Sequence, residues 1–233
     1  MADYLVTGGS GDIGRAVVDR LLDEGHRVIC HYFAADVTLL KERWHSKPVT
    51  FWQADLTVEL VNQPDFCNDI DGLIYAAGTA HYELLQDMSS EAIDKQYAIH
   101  LKNLIKLVQW IVPALVSKQC GNIVIISSIW GETGAAMESI YSTMKSGQLG
   151  FTRAMAKELA PSHITVNAVT PGLVQGKMTD IFPEEELKMI LEDIPQGELV
   201  LPHEIAHMVS YLLDERSRHV TGQVLRINAG WLI

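Results

Sequence analysis

Short apolar runs alternate along this chain with longer stretches in which apolar residues recur every three or four positions. The runs near Tyr4–Thr7, Arg27–Tyr32, Val49–Gln53, Leu73–Ala76, Asn122–Ser127, Thr165–Val169 and Val224–Asn228 predict strands. The periodic stretches near Ile13–Glu24, Ala35–Trp44, Ser90–Leu115, Tyr141–Ala160 and His203–Leu213 predict helices. Strands separated by helices imply a parallel sheet covered on both faces. Right-handed crossovers then favour an α/β fold of Rossmann-like, doubly wound type, with a seven-stranded parallel sheet. No repeat or Pro/Gly-rich linker divides the chain, so residues 1–233 are expected to form a single domain. The polar, acidic segment 175–197 breaks the rhythm after Pro171-Gly172. It suits a flap over a substrate site or a plain surface insertion, and the pattern leaves both open.

Composition narrows the picture. At 233 residues with 48% apolar content, the chain can bury a full core. It has no uncharged apolar run of membrane-spanning length, and MADYLVTGG already reads as a strand rather than a signal peptide. Cys30, Cys67 and Cys120 are odd in number and widely spaced, as in reduced, mostly buried thiols of a cytoplasmic protein, and no metal site is expected. The net charge of −11 argues against nucleic acid, whose phosphates are bound by Lys and Arg.

Two motifs carry chemistry. Residues 4–14 read YLVTGGSGDIG, in which Gly9, Gly11 and Gly14 satisfy G-x-G-x-x-G between a strand and a helix. Such glycines permit a sharp turn, approach of a pyrophosphate and tight helix–strand packing. Free N–H groups at the helix start then receive the phosphate charge. Further on, Tyr141 and Lys145 are four apart, on one helix face, and Ser128 ends the apolar run GNIVIISS. A nearby ammonium favours a phenolate and lowers the phenol pKa from about 10. A serine beyond the carboxyl end of a strand is placed to donate to a substrate oxygen.

Together these motifs resemble the short-chain dehydrogenase/reductase family. The resemblance extends through Asp55-Leu56, the Tyr75-Ala76-Ala77-Gly78 stretch, Pro171-Gly172, Thr221-Gly222-Gln223 and Asn228-Ala229-Gly230. Within the family the chain is similar to 3-oxoacyl-[acyl carrier protein] reductases. SSIWGETGA and QYAIHLKN are similar to the subgroup of elongation factor P 5-aminopentanone reductases. The resemblance implies an NAD(P)H-dependent oxidoreductase that reduces a carbonyl to a hydroxyl, acting on a small-molecule or carrier-bound substrate; the rival is a cofactor-binding regulatory protein with little catalysis, which the intact Ser128, Tyr141 and Lys145 speak against and the altered His100, Tyr75 and Asp12 keep open. Tyr141 would protonate the developing alkoxide, Lys145 would bind the nicotinamide ribose and hold the tyrosine pKa low, and Ser128 would polarise the carbonyl. Cofactor contacts are implied for Thr7, Gly8, Gly9, Ser10, Gly11, Asp12, Ile13, Gly14, Tyr32, Asp55, Leu56, Ala76, Ala77, Gly78, Pro171, Gly172 and Val174. Asp55 would meet the adenine amine. A homo-oligomer, tetramer or dimer, is expected through the helices around His100–Val116 and Tyr141.

Four departures from the family pattern stand out. Asp12 replaces a glycine, and is expected to turn to solvent because inward it would repel a pyrophosphate. Tyr75 and Ala76 replace two asparagines that brace the loop. Gly176 replaces a threonine that often contacts the nicotinamide amide. His100 replaces the fourth catalytic residue, an asparagine that holds a water linked to the lysine. A histidine there either relays protons, titrating near neutrality, or only fills the space. Cofactor choice turns on the end of the second strand, where Tyr32 stands and no acid follows until Asp36. Without an acid to grip the ribose hydroxyls, NADP(H) is favoured over NAD(H). The arginine that many NADPH enzymes carry at the position of Gly11 is missing; Arg15 or His31 would have to serve a 2′-phosphate, though Arg15 equally suits a solvated helix face. Trp130 either walls the substrate pocket or packs in the core. Acidic surroundings suit a ketone bearing a free amine better than an acidic carrier.

Overall fold

The computed structural model describes residues 1–180 and 182–233; residue 181, inside the segment expected as a flap, lies outside the described residues. Seven strands form one parallel sheet in the order β3-β2-β1-β4-β5-β6-β7. They are β1 (Asp3–Thr7), β2 (Arg27–Tyr32), β3 (Val49–Gln53), β4 (Gly72–Tyr75), β5 (Gly121–Ile126), β6 (Ile164–Pro171) and β7 (Val224–Ile227). All seven expected strands are present within a residue or two, because an apolar run with both faces buried leaves little freedom in register. Every residue of β6 is buried, as a central strand requires.

The helices are α1 (Asp12–Asp23), α2 (Val37–Arg43), α3 (Ser90–Tyr97), α4 (Asn103–Lys118), α5 (Trp130–Thr133), α6 (Ser139–Leu159), α7 (Glu184–Asp193) and α8 (Pro202–Leu213). On one face of the sheet, Val17, Val18 and Leu21 of α1 meet Val209 and Leu212 of α8. On the other, Leu104, Leu107, Ile111 and Leu115 of α4 join Ala156 and Leu159 of α6. The doubly wound arrangement follows from this division.

The helix expected over Ser90–Leu115 is continuous to Lys118, but a wider π-helical turn at Ala98–Lys102 interrupts it. Such turns often coincide with functional sites, and this one carries His100. By composition the whole span is long and apolar enough to cross a membrane. Its apolar side instead lies against the sheet. Both β2 and β4 flank β1, so the strand order reverses there. Open sheets place their ligand crevice at that reversal, beyond the carboxyl ends of the strands.

Candidate active site

The amino-terminal loop is set by close backbone contacts. The Gly9 N–H donates to the His31 carbonyl (2.9 Å) and the Gly11 N–H to the Gly8 carbonyl (2.9 Å). A Cβ on Gly14 would stand 2.1 Å from the Gly8 oxygen, so only glycine lets α1 start this near the turn. The buried Thr7 hydroxyl accepts from the N–H groups of Ala76 (3.1 Å) and Ala77 (3.2 Å), joining the ends of β1 and β4. The first N–H groups of α1 have no partner within the helix and open onto the crevice. These residues fit a dinucleotide pyrophosphate: the loop admits it closely and the helix dipole favours its charge.

One pocket runs from this loop to the carboxyl ends of β5 and β6. Its wall includes Gly8, Gly11, Asp12, Ile13, Gly14, Ala76, Gly78, Ser128, Tyr141, Pro171, Gly172 and Val174, all expected from sequence. Trp130 also lines it, which decides between the two roles left open for that ring. Thr7, Gly9 and Leu56 lie behind the surface as packing and bracing residues. Tyr32 is buried at the end of β2, its ring edge-on to Phe51 at 6.4 Å. Asp55 accepts from the Thr57 N–H (2.8 Å) and hydroxyl (2.7 Å) through one oxygen, which fixes its carboxylate and leaves the other oxygen for a ligand.

Ser128, Tyr141 and Lys145 come together as expected. The Ser128 hydroxyl accepts from the Trp130 N–H at 3.2 Å, which orients it at the end of β5. Lys145 is buried, and its Nζ donates to the Ile126 carbonyl at 2.9 Å. That Nζ lies 5.5 Å from the centre of the Tyr141 ring. The pKa balance differs from expectation. Burial lowers Lys145 to about 7, and burial raises the Tyr141 phenol above its usual value, with the Ser128 hydroxyl pulling the other way. Desolvation is the leading cause for both groups.

His100 is fully buried, its ring edge-on to Tyr141 at 5.3 Å. Nε2 donates to the Thr79 carbonyl at 3.0 Å, which leaves Nδ1 as an acceptor with no protein partner among the described residues. A Cβ on Gly78 would stand 3.2 Å from that Nδ1 and 3.7 Å from Lys145 Nζ, so the two nitrogens border the same small space. Burial and the nearby Lys145 lower the His100 pKa to about 3. The expectation that it titrates near neutrality is therefore corrected: the ring is neutral and presents an Nδ1 lone pair.

Other departures acquire physical reasons. The Tyr75 hydroxyl donates to the Ile99 carbonyl at 2.6 Å, tying β4 to the π-helical turn in place of the missing amide braces. Asp12 is not turned to solvent. It lines the pocket, pairs with Arg15 at 2.6 Å and accepts from the Lys177 N–H at 2.8 Å. Gly176 has a φ of +150° and lies against that carboxylate; a Cβ there would stand 2.3 Å from Asp12 Oδ2. The carboxylate at 12 thus leaves room only for glycine at 176, a dependence invisible when each is read alone. Neither cation suggested for a 2′-phosphate is free. Arg15 is held by Asp12, and His31 accepts from the Gly8 N–H through Nδ1 (2.9 Å), with Nε2 on the Ala54 carbonyl (3.0 Å). Burial lowers His31 to about 4, so it is neutral. Asp36 caps α2 by accepting from the Thr38 N–H (2.8 Å).

Sequence reasoning missed Tyr82 and Glu138, both in the pocket wall. Tyr82 meets Phe182, just before α7, edge-on at 6.3 Å. Glu138 lies three residues before Tyr141, and that spacing is the one signal that could have found it. Cys30 and Cys67 are buried and Cys120 is exposed. No cluster of potential metal ligands occurs among the described residues.

A family model described as Enoyl-(Acyl carrier protein) reductase matches residues 9–232. The chain belongs to the short-chain dehydrogenase/reductase family. It is 35% identical to an uncharacterized oxidoreductase of Bacillus subtilis, YmfI, over 97% of both chains. It is 32% identical to a 3-oxoacyl-[acyl-carrier-protein] reductase of Aquifex aeolicus, over 97% of this chain and 95% of that one. The crystal structure of a Brucella melitensis 3-oxoacyl-[acyl-carrier protein] reductase superposes with a TM-score of 0.90 at 23% identity, covering 100% of this chain and 92% of that one. At that identity the superposition speaks for the fold.

Proposed function

We propose that this family member is an NADPH-dependent carbonyl reductase that converts a ketone on a small or carrier-bound substrate to a secondary alcohol. The observation that carries the reading is the presence of Ser128 and Tyr141 in the wall of the same pocket as the glycine loop, with Lys145 buried behind them. The cofactor, when bound, supplies the hydride. Ser128 holds the carbonyl oxygen with its hydroxyl, and Tyr141 gives that oxygen its proton. Lys145 binds the ribose beside the phenol and, when protonated, favours phenolate formation. His100 Nδ1 accepts a hydrogen bond in the space it shares with Lys145, on the route by which the proton is restored.

The cofactor reading rests on the absence of an acid at the end of β2, since Asp36 is engaged as a helix cap. The described residues of the segment 175–197 act as a flap, tethered where Asp12 holds Lys177 and Phe182 meets Tyr82. The subgroup alternative, 5-aminopentanone reductase, shares all of this chemistry and differs in substrate. A cytoplasmic homo-oligomer, packed through α4 and α6, completes the reading; sedimentation should give a dimer or tetramer.

Spectrophotometric consumption of NADPH and of NADH against a panel of β-keto thioesters, simple ketones and amino ketones tests the proposal. NADPH-dependent turnover of at least one ketone is expected. An α,β-unsaturated thioester belongs in the same panel. Turnover of that compound alone, or binding of NADPH with no turnover at all, would overturn the reading.

A further inference from the structure

The loop after β3, residues 54–60, has neither strand nor helix to hold it. Apart from the Ala54 N–H, which reaches the Tyr32 carbonyl (3.1 Å), none of its backbone groups pairs with another backbone group among the described residues. A single side chain replaces the missing ladder. Asn103 Nδ2 donates to the Leu56 carbonyl (2.9 Å) and the Val58 carbonyl (2.7 Å), and Oδ1 accepts from the Leu60 N–H (3.0 Å). Both ends of the amide are thus committed to the loop, and exchanging its O and N would set oxygen against two carbonyls. Asn103 is fully buried and opens α4 directly after the π-helical turn. His100, three residues earlier and also fully buried, borders the space beside Lys145, so one stretch of helix reaches both the loop and the reacting groups. At the near end of the loop, His31 Nε2 donates to the Ala54 carbonyl (3.0 Å) while its Nδ1 accepts from the Gly8 N–H (2.9 Å).

The loop lies where half of a dinucleotide has to go. Reaction at Ser128 and Tyr141 requires the nicotinamide to lie beyond β5, on one side of β1. With the pyrophosphate on the glycine loop at β1, the adenosine half runs the other way, over the ends of β2 and β3. Loop 54–60 begins there, and the Asp55 oxygen that Thr57 does not engage is open to a donor. We infer that Asn103 is a positioning residue for the adenosine half: it fixes loop 54–60 in its binding shape before the cofactor arrives, a role that rests on the nicotinamide-cofactor reading above. A loop ordered in advance spares binding the conformational cost of ordering it. Without Asn103, the Leu56 and Val58 carbonyls and the Leu60 N–H lose their partner, and the loop has to find water instead. Asp55 then loses its fixed place, although Asn103 itself never touches the cofactor.

Halves of the cofactor separate this role from a merely structural one. 2′-Phospho-ADP-ribose carries adenosine and pyrophosphate without nicotinamide, and nicotinamide mononucleotide carries the opposite half. In Asn103→Leu and Asn103→Ala, calorimetry on the full chain is expected to show 2′-phospho-ADP-ribose and NADP⁺ bound more weakly by about tenfold or more. ADP-ribose and NAD⁺ take their places if NAD⁺ is the tighter ligand of the wild type. Nicotinamide mononucleotide should bind within about twofold of wild type, because its contacts lie away from the loop. Thermal melting establishes that each variant is folded. Equal losses for both halves would make Asn103 a general packing residue and overturn the inference, as would unchanged binding of the adenosine half. If neither variant folds, hydrogen exchange in the wild type decides. The Leu60 amide should be strongly protected without cofactor and little slower with it. Fast exchange in the free protein, slowed only by cofactor, means that the ligand orders the loop and overturns the inference. A wild type that binds the dinucleotide but reduces no ketone refutes the reductase reading alone, and the titrations still decide the role of Asn103. A wild type that binds neither NADP⁺ nor NAD⁺ overturns both.

Discussion

The two ends of the pocket are built differently. At the phosphate-loop end, backbone groups close on one another and three polar side chains are tied down: Thr7 on Ala76 and Ala77, His31 on Gly8 and Ala54, Asp36 on Thr38. At the substrate end, Glu138 has no side-chain partner among the described residues, and α7 buries none of its residues. The first end is a preformed cradle for a ligand whose shape does not vary. The second leaves Glu138 without a side-chain partner and is covered by a loosely packed helix, as expected where a substrate has to enter. Asp12 is where they meet, with one carboxylate oxygen toward Arg15 on α1 and the other on the Lys177 N–H.

The largest effect should come at the reacting groups between the two ends. Tyr141→Phe is expected to lower kcat by about 10²–10⁴-fold with NADPH affinity within a few-fold of wild type, measured by turnover and fluorescence titration. Equal turnover would remove the phenol from the reaction.

A smaller change should separate the ends by their rigidity. Gly14→Ala places a methyl group against the Gly8 carbonyl, where backbone has to move. A loss of about 1–3 kcal/mol in unfolding free energy and markedly weaker NADPH binding are expected from denaturant melts and titration. Met189→Ala, on an exposed position of α7, should change stability by less than about 0.5 kcal/mol. Similar losses for both would show that the two ends are equally rigid.

The Asp12–Gly176 pairing can be measured as a coupling. Gly176→Thr should destabilise the protein, and Asp12→Gly in the same chain should relieve part of the loss. A double-mutant cycle is expected to give about 0.5–3 kcal/mol of coupling. Additive effects would mean that the flap and the phosphate loop are independent.

A last effect concerns pH. His100 and His31 have folded pKa values lowered to about 3 and about 4, below the usual 6.5. As pH falls below 6.5 the unfolded chain takes up these protons first, so both histidines cost stability on acidification. The window closes near pH 3 for His100 and near pH 4 for His31. Glu138, raised to about 7, has the opposite sign, because the folded chain takes up its proton first between pH 7 and about 4.5. His100→Asn should therefore shallow the fall in stability between pH 6.5 and 4, by up to about 1.4 kcal/mol per pH unit, in chemical melts. An unchanged slope would show that His100 is not held neutral by burial.

The sequence by itself determined the sheet, the helices against it, the glycine loop and the Ser128, Tyr141, Lys145 set. Each depends on short-range rules: an apolar run with both faces covered, a periodic face, a turn only glycine can make, a four-residue spacing on one helix. It erred or stayed open where the answer depends on contacts between distant segments. Asp12 faces the pocket because residue 177 offers it an N–H. His100 is neutral because the fold buries it beside Lys145. Tyr75 replaces a lost brace by reaching Ile99. Glu138 is conspicuous only once the fold has buried it without a partner. Tertiary structure decided these because desolvation and pairing are properties of a place in the fold, and no local pattern records what will surround a side chain there.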